Sequence, residues 1–223
     1  MNILLTGATG GIGREIYKAL STHKIIALGT KDVDVSDKDK LRKLFSNIKK
    51  LDVLINCAGI LGPVGKFEDN DLDQWERTLK VNFLGSVYTS YFALPLLKRS
   101  RRGKIINFAG GGSAYPRLFH SAYGSSKTAV VRFTETLAQE YPSLDINVIA
   151  PGAYKTKIWD GETYDKEPDR WGDIDRLKSF IKFLVSKKSD GISGKFIHYK
   201  DDWKNFNKKK LSKDVYTLRR VEK

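Results

Sequence analysis

The 223-residue sequence predicts an α/β fold in three layers: a doubly wound parallel sheet with helices on both faces. Three observations carry this. Short apolar runs alternate with helix-length segments, the pattern of strands buried on both faces. The first apolar run enters a glycine-rich turn that opens a helix. Hydrophobic residues make up 40% of the chain, enough to bury a core, so length and composition suit a single domain over residues 1–223.

Taken in order, strands are expected at residues 2–5, 24–28, 53–56, 104–108, 146–149 and 195–198. Helical periodicity falls between them at 14–21, 37–48, 72–99, 121–140 and 173–186. The connection from Leu28 to Asp34 is too short for a crossover helix. The second and third strand positions are therefore joined by a loop, and the architecture is abbreviated there. Neither an internal repeat nor a low-complexity linker divides the chain.

Cys57 is the single cysteine and cannot form an intramolecular disulfide, and no secretory leader pattern opens the sequence. A cytoplasmic location is expected. The longest apolar stretches, such as 92–97, fall well short of the roughly 20 residues of a membrane span, so no membrane partner is expected. A net charge of +14 suits nucleic acid, anionic membranes or acidic small molecules, and the distribution of charge separates these. Lysines are scattered, with clusters at 98–104 and from Lys204 through Lys213 to Arg220. The first cluster sits where a helix should end, and cations there oppose the helix dipole. Stripes of base-stacking aromatics, a zinc-ligand pattern and a helix-turn-helix signature are absent, so a solvated basic surface is expected and no nucleic-acid partner. Such a surface would also attract an anionic substrate.

The strongest local feature is Asn2-Ile-Leu-Leu-Thr-Gly-Ala-Thr-Gly-Gly-Ile-Gly13, a strand, a glycine-rich turn and a helix beginning near Ile12. This is the Rossmann-type arrangement for a dinucleotide. Gly7 permits the tight turn, Gly11 lets the backbone approach a pyrophosphate, and Gly13 lets the helix pack on the strand. Helix N-terminal amides then face the phosphate charge. Thr9 and Ile12 of the same turn join these as expected cofactor contacts. The spacing fits both GxxxGxG and GxxGxxG, so the turn alone does not fix the subfamily.

Choice between NAD and NADP is read at the end of the second strand, in Leu28-Gly-Thr-Lys-Asp32. No carboxylate stands at Gly29 or Thr30 to repel a 2'-phosphate, and Lys31 could pair with one. Asp32 blunts that lean toward NADP, and Lys31 is equally a solvated lysine. Asp34 and Val35 could contact the adenine, with a capped helix start at Ser36 as the structural alternative.

A second constellation is Ser121-Ala-Tyr-Gly-Ser-Ser-Lys127. Tyr123 and Lys127 are four apart and share one helix face. An ammonium beside a phenol favours the phenolate, so a tyrosine pKa below its ordinary value of about 10 is expected, suited to giving or taking a substrate proton.

Along nearly its whole length the chain resembles the short-chain dehydrogenase/reductase family. The motifs occur in the family's order: Thr6 to Gly13, Asp34-Val35, Asn56-Cys-Ala-Gly59, Asn82 in Val-Asn-Phe, Tyr123 with Lys127, and Pro151-Gly152 followed by Thr156. The resemblance implies an NAD(P)-dependent oxidoreductase acting on a carbonyl or secondary alcohol. It implies that Tyr123 is the general acid/base, that Lys127 holds the nicotinamide ribose, and that Asn82 keeps a water in the proton relay. Asn56, Ala58 and Gly59 would line the cofactor, and Pro151, Gly152 and Thr156 would lie near the nicotinamide. Dimers or tetramers built on the two long helices are implied too, and Trp75, Phe83, Tyr91, Val130, Phe133 and Leu137 supply apolar surface on more than one face of those segments.

One position departs from the family. The serine that usually polarises the substrate carbonyl stands thirteen residues before the tyrosine, which here is Gly110 in Phe108-Ala-Gly-Gly-Gly-Ser-Ala114. Ser113 is the candidate stand-in, since a triple-glycine loop is permissive; it is equally a turn residue. A missing oxyanion donor costs on the order of 10²- to 10³-fold in rate. The alternative function is therefore a catalytically weak NAD(P)-binding sensor or regulatory subunit.

Residues 153–172 stand where the family builds a substrate lid, short and mixed in charge and so expected to be mobile, and residues 199–223 form a basic tail. Tyr154, Trp159, Tyr164 and Trp171 could flank a sugar, with internal packing the favoured alternative. His120 could reach the substrate pocket. No histidine has a metal-ligand partner at sensible spacing, so no metal is expected. The glycine triplet, Asp190 to Ile197 and the C-terminal stretch resemble a bacterial subgroup associated with surface-polysaccharide or nucleotide-sugar metabolism.

Overall fold

Alternation within the apolar runs decides which way each strand faces, because successive strand side chains point to opposite sides. In the computed structural model, which describes residues 1–206, 211, 212 and 214–219, Ile3, Leu5, Val53, Ile55, Ile106 and Phe108 enter one core. Their neighbours Leu4, Leu54 and Ile105 enter the other. Lys213 and Arg220 of the basic cluster lie outside the described residues.

The described residues form one parallel sheet of six strands: β1 (Asn2–Thr6), β2 (Lys24–Leu28), β3 (Val53–Asn56), β4 (Lys104–Phe108), β5 (Asp145–Ala150) and β6 (Phe196–His198). Their order is β2-β1-β3-β4-β5-β6. Helices α1 (Gly11–Ala19) and α6 (Ile174–Val185) place Ile16, Leu177, Phe180 and Ile181 in the first core. On the other face, α2 (Lys38–Ser46), α4 (Gly85–Leu97) and α5 (Ser121–Glu140) supply Leu41, Phe45, Leu96, Leu97 and Leu137. The doubly wound, three-layer expectation holds.

The abbreviation takes the form of a missing strand. Residues 29–37 form turns and no strand, with the Gly29 amide donating to Asp32 Oδ2 at 2.8 Å. β2 is thus an edge, and α2 makes the crossover to β3, capped by Asp37, whose Oδ1 accepts from the Lys40 amide at 3.0 Å.

The segment expected as one helix over 72–99 is interrupted. It comprises α3 (Leu72–Leu79), a π-helical turn at Lys80–Leu84 and α4. Inserted residues of this kind re-aim a side chain without ending a helix, and they concentrate at functional sites. Asn82 sits in this turn and is buried. Among the described residues no helix is long and apolar enough to cross a membrane.

Candidate active site

The site lies at the C-terminal ends of the strands, where the paired strands β1 and β3 send their following connections in opposite directions along the sheet, the crevice in which open α/β sheets bind ligands. The glycine turn is compact because its neighbours leave no room for side chains. A Cβ on Gly7, at φ +70°, would come within 2.8 Å of Ala58 Cα, and one on Gly13 would stand 2.0 Å from the Gly7 carbonyl oxygen. Thr6 Oγ1 accepts from the Cys57 and Ala58 amides at 3.2 and 3.1 Å, which ties the turn to the end of β3. Gly10 caps α1 without a side-chain hydrogen bond, so the first-turn amides are left to face the crevice.

A cleft of about 340 Å³ runs over this turn. Of the expected cofactor contacts, Gly7, Thr9, Gly11, Ile12, Asp34, Val35, Ala58, Gly59, Tyr123, Lys127, Pro151 and Thr156 line it. A dinucleotide fits these residues: a side-chain-free turn, free helix amides and an apolar wall. NAD or NADP is the cofactor the cleft suits. Gly152 lines a second, larger cleft of about 1090 Å³.

Two expected contacts stand elsewhere. Asn56 does not line either cleft; it is buried in a polar chain beneath, accepting from Thr89 Oγ1 at 2.7 Å and donating to Asn107 Oδ1 at 2.9 Å. Lys31 is exposed and lines neither cleft. The cation at the β2 end is instead Arg77 of α3, paired with Asp34 and with Ser36. Burial pushes the Asp34 carboxyl up, but Arg77 and Ser36 outweigh it and hold it below its usual range. No sequence signal ties residue 77 to residue 34; the missing strand brings them together.

The expected catalytic residues converge at the other end. A Cβ on Gly59 would lie 3.2 Å from Asn82 Oδ1 and 3.3 Å from Lys127 Nζ. Asn82 Oδ1 accepts from the Ile60 amide at 2.8 Å, and Nδ2 donates to Ile60 O at 2.9 Å and Ser126 Oγ at 3.0 Å. Both Nδ2 hydrogens are used, so Asn82 clamps the loop after β3 to α5. Lys127 Nζ donates to Phe108 O at 3.0 Å, and burial depresses its pKa to about 8. Tyr123 lines both clefts, and its hydroxyl makes no hydrogen bond to the described residues.

The phenol differs from its expectation. Burial pushes Tyr123 above its ordinary pKa, and the group opposing that is the Arg117 guanidinium. Lys127 Nζ is 5.7 Å from the ring centroid.

Ser113 is placed as a turn residue. Its Oγ accepts from the Gly110 amide at 3.1 Å and donates to Gly110 O at 2.7 Å, closing the loop on itself. A Cβ at Gly110 would fall 2.4 Å from Tyr123 Oη, so the tyrosine hydroxyl occupies the space a serine there would need.

The segment 153–172, expected to be mobile, is tied to the loop before α5 through Glu162 and Asp165. Arg117 Nε donates to Asp165 Oδ2 at 2.8 Å and Nη2 to Glu162 Oε2 at 2.5 Å. His120, expected to reach the substrate, is buried with Nδ1 2.6 Å from Leu118 O and Nε2 2.7 Å from Glu162 Oε2. Burial raises the Glu162 pKa, but the Asp165 and Tyr164 amides and His120 outweigh it and keep the carboxylate charged. The fold thus gives His120 two partners of metal-ligand type, Glu162 and Asp165, which the sequence spacing does not reveal. The Arg117 guanidinium already bonds both carboxylates and supplies the positive charge there. The aromatics of this segment pack internally, Trp159 edge-on to Trp171 at 5.2 Å, Tyr164 edge-on to Phe119 at 4.2 Å and Tyr154 against Tyr199 at 6.1 Å, while Tyr154 and Trp159 also line the larger cleft.

Fold and site together define a dinucleotide-binding α/β protein with a tyrosine and a lysine at the head of its cofactor cleft. Residues 23–167 match the short chain dehydrogenase family model, and the chain belongs to that family of oxidoreductases. It is 31% identical over 240 aligned positions to the 2-dehydro-3-deoxy-D-gluconate 5-dehydrogenase of Bacillus subtilis, covering 90% of this chain and 93% of that protein. It is 30% identical over 192 positions to 11-beta-hydroxysteroid dehydrogenase A of Sesamum indicum, covering 73% of this chain and spanning 55% of that longer relative. The ligand-free aldohexose dehydrogenase of Thermoplasma acidophilum superposes with a TM-score of 0.77 at 26% identity, covering 88% of this chain and 91% of that one.

Proposed function

We propose that this enzyme moves a hydride between NAD(P) and the carbonyl or secondary alcohol of a sugar derivative. The observation that carries this reading is that Tyr123 stands at the junction of the two clefts, lining both. A proton donor belongs there if the cofactor lies in one cleft and the reacting oxygen in the other.

The glycine turn and the first-turn amides of α1 hold the pyrophosphate, and Asp34, Val35 and Arg77 take the far nucleoside. Lys127 and Asn82 frame the end nearest Tyr123. The bound nicotinamide supplies or accepts the hydride. Tyr123 gives a proton to the substrate oxygen in reduction and takes it back in oxidation. Lys127 and Asn82 fix the geometry around it, and the lid over 153–172 keeps water from the larger cleft. Residues 1–223 act as one domain: the stretch from 199, expected as a basic tail, starts inside the core, where Tyr199 and Trp203 are buried, and the basic surface draws an anionic substrate.

Support for a sugar derivative comes from the names of two similar proteins, a dehydrogenase of a deoxy sugar acid and an aldohexose dehydrogenase, and from the aromatic faces of Tyr154 and Trp159 in the larger cleft. The bacterial polysaccharide or nucleotide-sugar setting is consistent with that chemistry. Nicotinamide absorbance is followed with NAD or NADP as oxidant, against aldohexoses and 2-dehydro-3-deoxy-D-gluconate. Turnover with one of them supports the reading. Tight cofactor binding with no turnover of any of these or of a broad carbonyl panel overturns it in favour of a catalytically weak binding protein, the reading that Gly110 and the self-bonded Ser113 favour.

A further inference from the structure

The proton transfer just described leaves Arg117 without a part. Its guanidinium is held from one side by the lid carboxylates Glu162 and Asp165, and its Nη1 makes no hydrogen bond to the described residues. On the other side its central carbon lies 5.9 Å from the Tyr123 ring centroid, and both residues line the larger cleft. Two glycines of the triplet let them pass beneath the loop. A Cβ on Gly112, at φ +88°, would come within 3.3 Å of Arg117 Cβ, and one on Gly110 would strike Tyr123.

We propose that Arg117 is a positioning residue for Tyr123: the lid carboxylates hold its fixed positive charge against the phenol ring, where it favours the phenolate beside a loop whose serine hydroxyl, that of Ser113, is turned onto Gly110. The inference rests on the proposed role of Tyr123. It gives the lid a second task, since residues that cover the substrate also aim the charge.

Three titratable or charged groups face Tyr123 directly. Arg117 comes from the loop before α5, Lys127 from one turn further along α5, and Cys57 from the end of β3. The half-buried Cys57 thiol, itself pushed up to about 12, works against the phenolate. Lys127 is depressed to about 8, so its charge is lost as pH rises through that value, before a phenol ordinarily ionises. A guanidinium stays charged throughout. Glu162 and Asp165 stand behind Arg117 and oppose it in sign, and Lys166, His198 and Asp201 line the outer part of the same cleft.

The test needs no substrate. Phenolate absorbance is titrated against pH in the wild-type protein and in Tyr123→Phe, and the step lost in the variant belongs to Tyr123. In Arg117→Gln that step is expected at higher pH, and Arg117→Lys, which keeps the charge, is expected to bring it most of the way back. Where the glutamine variant fails to fold, judged by circular dichroism and NADPH fluorescence titration, Arg117→Met keeps the packing of the stem and removes the charge. A step that stays in place without the charge overturns the proposal. So does a lysine variant that behaves like the neutral ones, or a wild-type protein with no Tyr123 step before the fold is lost. Failure here leaves turnover through Tyr123 intact, and failure of turnover leaves this titration readable.

Discussion

Lys127 shows what a reaction site costs its fold. A lysine depressed from 10.5 to about 8 carries its charge in the native state at a penalty of about 3 kcal/mol. Between those two values the unfolded chain holds a proton that the native protein does not, so the Lys127 contribution to stability improves as pH rises through that window. Lys127→Met is therefore expected to raise stability at pH 7, by about 1–3 kcal/mol once the lost bond to Phe108 is counted, and the gain should shrink by pH 10. Denaturant midpoints at the two pH values check this. The same residue was legible in the sequence, because four-residue spacing on a helix puts Lys127 beside Tyr123. Arg117 was not, since the irregular loop residues 118–120 separate it from the start of α5 and its anchors lie more than forty positions onward. Ser113 was open between two readings, and only the hydrogen-bonding direction of its hydroxyl separates them.

At the scale of elements, the apolar runs located the strands to within a residue or so, because burial on both faces leaves little freedom of placement. The π-turn at Lys80–Leu84 was hidden, since one inserted residue barely alters a hydrophobic pattern that is apolar on several faces. It matters because it aims Asn82. Asn82→Ala removes three hydrogen bonds and takes from the Ile60 amide and carbonyl the side chain that holds that loop. A loss of about 2–4 kcal/mol is expected, together with lower turnover from a loosened Gly59 loop. An unchanged denaturant midpoint would show that the clamp is dispensable. The anchoring of residues 153–172 was hidden as well: mixed charge in the sequence suggested mobility, whereas the fold pairs two of those charges, Glu162 and Asp165, with Arg117, and Glu162 also with His120.

For the whole molecule, the two cores account for most of the apolar residues, and what remains exposed is informative. Val130 and Leu137 are buried and Phe83 packs edge-on against Phe133 at 6.2 Å, so those residues are satisfied within one chain. Leu72 and Tyr91 are 63% and 70% exposed. An apolar surplus on α3 and α4 supports the homodimer or homotetramer proposed for this chain. Sedimentation at micromolar concentration is expected to give more than one subunit, with Tyr91→Lys shifting the balance toward monomer; a monomeric wild-type protein would remove the proposal. The +14 charge belongs to this scale as well, acting on which molecules approach and how fast, while the fold is set by the sheet and its two cores.

The central claim is that Tyr123, at the junction of the two clefts, transfers the substrate proton. Turnover and NADPH fluorescence titration of Tyr123→Phe beside the wild-type enzyme test it most directly. The account predicts turnover reduced at least a thousandfold, on the order expected when a general acid is removed, with cofactor affinity nearly unchanged. A phenylalanine variant that retains most of the wild-type rate would contradict it.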